Sequence, residues 1–173
     1  MQRELNELKN KLDIEVKENI LEYWLKYSID NQNEGFYGLV NGNNEPDSKA
    51  NKGCILNSRI LWTFSTAYIK YQDDRYLDCA TRAYNYLVNF FYDKEFSGLY
   101  WSVDYKGNVV DSKKHMYNIS FGIYGLSEYY KATKNDSSLT LAIKLFEAIE
   151  KYAYDNVNQG YTSARLIAKS HIR

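Results

Sequence analysis

A chain of 173 residues with 45% apolar content is long enough for one domain with a real core and too apolar for disorder. Lys plus Arg and Asp plus Glu both number 22, so the formal net charge is zero and no nucleic-acid or membrane-surface partner is expected. The first twenty residues are charged throughout and no apolar run approaches a membrane span, which predicts a soluble, cytoplasmic protein.

Helical spacing of apolar residues recurs along the chain. Leu5, Leu8, Leu12, Val16, Ile20, Tyr23 and Trp24 form a stripe along a long first helix. Leu56, Ile60, Phe64, Ala67 and Tyr71 mark a second helix, and Leu77, Ala80, Tyr84, Leu87, Val88 and Phe91 a third. Ile119, Ile123, Leu126 and Tyr130 mark a fourth; Leu139, Ala142, Phe146, Ile149 and Ala153 mark a fifth. Short polar turns at Gln72, Asp73 and Asp74 and at Lys134, Asn135 and Asp136 make helices two and three, and four and five, antiparallel neighbours. The longer connections, roughly residues 28–52 and 93–115, read as short strands in hairpins: Phe36, Tyr37 and Leu39 in one, and Leu99, Tyr100, Trp101 and Val103 before Gly107 in the other.

The pattern repeats. DNQNEGFY at 30–37, DKEFSGLY at 93–100 and DNVNQGY at 155–161 each carry an Asp, four residues, a Gly and then an aromatic residue or a Leu. Gly35, Gly98 and Gly160 lie 63 and 62 residues apart, and Asp74 with Asp136, Leu77 with Leu139 and Ala80 with Ala142 share the offset of 62. Asp30, Asp93 and Asp155 therefore read as organisers of the turn before Gly, not as catalytic groups. Alternating short and long connections place the long loops, and the chemistry, at one end of a helical array. The expected fold is all-α with minor β hairpins, an α/α toroid or an open solenoid. A closed toroid of six helix pairs needs about twice this length, so an open arc is expected, exposing apolar surface on one flank.

Cys54 and Cys79 are too few and too far apart for a disulfide framework or a zinc site, and read as small buried apolar residues. Eighteen tyrosines accompany a single proline, Pro46. A phenol both stacks and hydrogen-bonds, but most of these fit helix packing, and only those facing a common pocket are binding candidates. No phosphate loop, zinc spacing or nucleophile–base motif is present.

Two dense blocks carry a family resemblance. Residues 49–65, KANKGCILNSRILWTFS, resemble the Lys-Gly pair and Leu-x-Ser-Arg-Ile-Leu-Trp helix of the cellobiose 2-epimerase and N-acylglucosamine 2-epimerase family. Residues 114–133, KHMYNISFGIYGLSEYYKAT, resemble its Lys-His-x-Tyr segment and the helix that follows. The resemblance covers about residues 10–162 and implies the N-terminal part of an (α/α)6 barrel. It implies epimerisation of a reducing-end glucose to mannose in β-1,4-linked disaccharides, without a metal or nucleotide cofactor; the substrate is a disaccharide or a monosaccharide, with cellobiose, other β-1,4-linked oligosaccharides, N-acetylglucosamine and a free monosaccharide all open. Ring opening, loss of the C2 proton and its return on the other face through a cis-enediol require two bases, and histidine suits both roles. The family's histidines lie in the second half of the barrel; this chain has only His115 and His171, and neither matches them.

By the same resemblance Arg59 bonds the oxygens near the reacting carbon, a cation aimed at developing negative charge, and Tyr117 binds the sugar. Read without it, Arg59 is a solvated or salt-bridged arginine near a helix start and Tyr117 an ordinary rim residue. His115, Trp62 and Trp101 rank lower: His115 as a structural hydrogen-bonding residue beside the tyrosine, Trp62 as inner wall and Trp101 as a stacking surface. No catalytic residue is assigned within the chain. Residues 1–162 read as the barrel domain. Residues 163–173, SARLIAKSHIR, read as a divergent basic tail with Arg165, Lys169, His171 and Arg173 and no acid. A frameshift, a truncated reading frame, a gene fragment and a natural short form all fit that tail. An inactive enzyme fragment is expected, self-associating or completed by a C-terminal half. The alternative is a non-catalytic helical-repeat module that binds glycans or proteins. A glycoside hydrolase on a related toroid would need a spaced carboxylate pair, and none is nominated.

Overall fold

The computed structural model describes residues 1–162, so the basic tail and His171 lie outside the described residues. Helix α1 (Gln2–Ile14) runs through a π-helical stretch, Glu15–Leu21, into α2 (Glu22–Tyr27) as one rod. Helix α3 (Cys54–Tyr71) is followed by α4 (Asp74–Tyr86), which a π-helical turn extends over Leu87–Phe91. Helices α5 (Met116–Thr133) and α6 (Asp136–Ala153) form the next pair. These are the five helical units expected.

Both short turns use the same chemistry 62 residues apart. Gln72 and Lys134 end their helices in the left-handed conformation, at φ 55° and 59°. Asp73 and Asn135 then cap the next helix, accepting from the N–H of Arg75 and of Ser138. Each turn folds its helix pair antiparallel, so the long connections all fall at the opposite end. Helices α3 and α5 lie side by side, with α4 packed on α3 and α6 on α5. The approach of α3 to α5 is close at Gly125, where a β-carbon would sit 2.7 Å from the Ser58 carbonyl oxygen. Leu61, Phe64, Ala80, Leu87, Leu99, Ile119, Leu126 and Leu145 are buried in one continuous core.

The long connections are braced by a three-stranded antiparallel sheet: β1 (Lys52–Gly53), β2 (Ser102–Val103) and β3 (Val109–Asp111). The sequence reading placed a separate hairpin in residues 28–52. That connection instead makes only single bridges, Ile29 with Phe36 and Val40 with Pro46, and lends β1 to the edge of the second hairpin. A separate two-stranded hairpin joins β4 (Tyr154–Asp155) to β5 (Gly160–Tyr161).

The first helix departs from expectation in phase. Its stripe was read with one 3.6-residue period, but the wider π-helical turns of residues 15–21 rotate the buried face. Leu21, at 2% exposure, packs into the core, while the adjacent Ile20 stays 46% exposed. Leu5, Leu8 and Leu12 are exposed on a helix with no buried residue. At the other edge of the arc, Ile143 and Phe146 on α6 are exposed too. No described helix is long and apolar enough to cross a membrane.

Candidate functional site

The two long connections and the β4–β5 hairpin share a turn built around an aspartate. Asp30 Oδ1 accepts from the N–H groups of Gln32 and Asn33, Asp93 Oδ1 from those of Glu95 and Phe96, and Asp155 Oδ1 from those of Val157 and Asn158. Glu34–Gly35 and Ser97–Gly98 follow with both residues of each pair at positive φ, the conformation that makes glycine the fitting second residue. The aspartates organise turns, as their recurrence in the sequence indicated.

A second recurrence lies beneath these turns. Lys52 Nζ reaches Asp30 Oδ2 at 2.8 Å and also donates to the carbonyls of Glu34 (2.6 Å) and Asn33 (3.3 Å). Lys114, 62 residues later, makes the equivalent ion pair with Asp93. All four side chains are buried. Burial opposes ionisation of both aspartates, but the lysine bond and the backbone N–H bonds outweigh it and hold both carboxyls below the usual range. Each lysine precedes the first residue of α3 or α5 by two positions, so each pair ties a hairpin to the start of a core helix. Lys52 and Lys114 each lie in one of the two family-like blocks, and the signal for their pairing with the aspartates is the recurrence of Asp and Lys at separations of 22 and 21 residues.

The exposed faces of α3 and α5 enclose an open groove of about 600 Å³, lined by Arg59, Trp62 and Thr63 from α3 and Tyr117, Ser120, Phe121 and Tyr124 from α5. Trp62 stacks on Tyr124 with ring centroids 4.8 Å apart and planes 14° from parallel. Phe121 meets both Tyr117 and Tyr124 edge to face. Tyr117 is 63% exposed. Among the described residues Arg59 makes no ion pair or side-chain hydrogen bond, and it is exposed, so the salt-bridged form of the alternative reading is absent while the solvated form fits as well as a substrate-facing one. Partial burial and the Glu128 carboxylate raise the Tyr124 phenol, and the charge of Arg59 opposes them. A cation without a protein anion, set among aromatic faces, suits a polar ligand with apolar C–H faces.

The structure thus brings together Arg59, Tyr117 and Trp62. Trp101 and His115 do not line this groove; they meet each other edge to face, centroids 4.8 Å apart, at the hairpin end of α3 and α5. Thr63, Ser120, Phe121 and Tyr124 were missed by the sequence reading. Steps of three, four and seven from Tyr117 reach Ser120, Phe121 and Tyr124, so helical spacing carried their signal. Cys54 and Cys79 are buried, and burial pushes both thiols up to about 12, which keeps them protonated and unreactive. No group of three or more His, Cys, Asp or Glu among the described residues is placed to hold a metal ion.

Comparison with known proteins gives this geometry its context. The N-acylglucosamine 2-epimerase (GlcNAc 2-epimerase) family pattern matches residues 35–169. The chain belongs to the N-acylglucosamine 2-epimerase family. Cellobiose 2-epimerase of Bacteroides fragilis is 45% identical over 157 residues, which are 91% of this chain and 40% of that enzyme. Cellobiose 2-epimerase of Ruminococcus albus is 45% identical over 150 residues, 87% of this chain and 38% of that enzyme. The chain therefore spans about two fifths of the length of these relatives, as their N-terminal part. The cellobiose 2-epimerase structure from Bacillus thermoamylovorans superposes with a TM-score of 0.90 at 37% identity, covering 96% of this chain and 43% of that one. A D-mannose isomerase (TM-score 0.81, 18% identity) and a family 76 glycoside hydrolase (0.65, 23%) share the fold alone. The incomplete (α/α)6 barrel is the fold of this family member.

Proposed function

We propose that this chain supplies one wall of a sugar 2-epimerase site acting on the reducing-end glucose of cellobiose-type β-1,4 disaccharides, and that alone it does not turn substrate over. The observation that carries the reading is the groove between α3 and α5, where an unpaired Arg59 stands among Tyr117, Trp62, Phe121 and Tyr124. In this reading the guanidinium bonds the sugar oxygens next to C2 and stabilises the negative charge that develops on the enediol oxygen. Tyr117 packs along the ring and bonds a hydroxyl, and the Trp62–Tyr124 stack forms the floor. The substrate class is drawn from the cellobiose 2-epimerases that the chain resembles over most of its length.

Two bases on opposite faces of C2 are required for proton removal and return, and the α3–α5 wall offers neither. His115 faces Trp101, not the groove. General acid–base groups contribute about 10² to 10⁴ each in rate, so a wall lacking both leaves C2 protonated. The exposed apolar rows on α1 and α6 are faces that the remainder of the longer relatives would cover.

Calorimetric titration of the chain with cellobiose tests the binding half of the reading. Weak binding that Arg59→Ala and Tyr117→Ala both abolish is expected; binding unchanged in both variants would move the site elsewhere.

A further inference from the structure

Away from the groove, a closed cavity of about 10 Å³ lies where the first long connection meets the start of α3 and the end of α4; Phe36, Lys52, Gly53, Leu56, Asn57 and Tyr86 are among the residues that line it. Asn57 and Tyr86 are 4% and 2% exposed. The Asn57 side chain donates from Nδ2 to the Ala83 carbonyl at 2.8 Å, which fixes the orientation of the amide and leaves Oδ1 as its other end. That oxygen and the Tyr86 hydroxyl are both buried with no hydrogen-bond partner among the described residues. Lys52 does not supply one, because its three ammonium hydrogens are taken by the Asp30 carboxylate and the Asn33 and Glu34 carbonyls. Gly53 begins α3 without a side-chain cap, so the N–H of Leu56, in the first turn, has no acceptor within the helix.

We propose that this cavity binds one structural water, which accepts from the Tyr86 hydroxyl, donates to Asn57 Oδ1 and so ties α4 to the start of α3. Its size admits a single water, for which about 10 to 15 Å³ suffices, and nothing larger. Cavities that stay dry are apolar, whereas two buried polar side chains line this one. The ligand is neutral, since the Lys52 charge is already matched by Asp30 at 2.8 Å. Burial, with the Asp30, Asp104 and Glu34 carboxylates adding to it, pushes the Tyr86 phenol up and keeps it a donor. The water oxygen retains a lone pair for the Leu56 N–H. Asn57 stands two residues before Arg59 on α3, so the water helps to fix the helix that carries the groove cation.

The sign of one stability change tests the water. Removing a buried hydroxyl that has no partner relieves a desolvation penalty, whereas removing one that bonds an internal water leaves that water short of a donor. Tyr86→Phe should therefore lower the urea midpoint of the full chain. A high-resolution crystal structure should show one water within hydrogen-bond distance of both Asn57 Oδ1 and the Tyr86 hydroxyl. In solution, the Asn57 side-chain amide protons should show a nuclear Overhauser effect from a long-lived water, weakened in Tyr86→Phe. A midpoint that stays the same or rises in Tyr86→Phe would overturn the proposal. So would a cavity without water density, a Tyr86 hydroxyl bonded directly to a protein group, or an Asn57 amide with no Overhauser effect from water.

Discussion

Lys52 and Asp30 face each other at 2.8 Å beneath the first long connection, both almost fully buried, and Lys114 and Asp93 repeat the pairing 62 and 63 residues on. Removing one partner of a buried ion pair leaves an uncompensated charge, whereas replacing both with apolar residues is often neutral. Lys52→Met should lower stability by about 3 to 5 kcal/mol, and Asp30→Leu combined with Lys52→Met by less than the two single changes summed, because the double change strands no charge although it takes the acceptor from the Gln32 and Asn33 N–H groups. Urea unfolding of the four chains measures both.

The same pairs set an acid limit. Burial opposes the charged form of Asp30 and Asp93, but the lysines and backbone N–H groups together depress both carboxyls in the folded chain. A depressed carboxyl contributes stability that is complete above the unfolded value, about 3.9, and is lost as pH falls toward the folded one. The urea midpoint should hold as pH is lowered to about 4 and drop below it. Asp30→Leu with Lys52→Met should flatten that drop; an identical acid profile would remove the pair from the account.

Gly125 sets two principles against each other. In a helix interior, Gly→Ala is expected to stabilise by about 1 kcal/mol. A β-carbon there would lie 2.7 Å from the Ser58 carbonyl oxygen, across the α3–α5 contact. Backbone oxygen does not give way easily, so Gly125→Ala should destabilise by about 1 to 3 kcal/mol, and Gly125→Val by more. A rise in melting temperature for Gly125→Ala would show that the two helices pack less closely.

The parts of the fold that depend on local periodicity and repeated turns were legible before the structure. Helices α3 to α6 follow their apolar spacing, and Gln72 and Lys134 end helices where the short polar turns indicated. The phase of the first helix was not legible, because the sequence does not mark where π-helical turns begin; Leu21 takes the buried place that Ile20 seemed to hold. Arg59, Tyr117 and Trp62 were nominated by motif and do share a groove, but their neighbours Ser120, Phe121 and Tyr124 needed α5 to be set against α3. The Lys52–Asp30 pair spans 22 residues of irregular chain, and only the repeat could have exposed it.

A chimera puts the proposed role of the groove to direct test: this chain replaces the matching part of the Bacteroides fragilis enzyme, and the product is incubated with cellobiose in deuterated water. The chimera should form glucosyl-mannose and place deuterium at C2, and Arg59→Ala within it should lower kcat by about 10² to 10³, the cost of losing one group aimed at developing negative charge. Residues 1–173 alone should leave the C2 proton in place. A folded chimera that exchanges nothing, an Arg59→Ala chimera as fast as its parent, or deuterium appearing at C2 with the isolated chain at an enzyme-like rate would contradict the account.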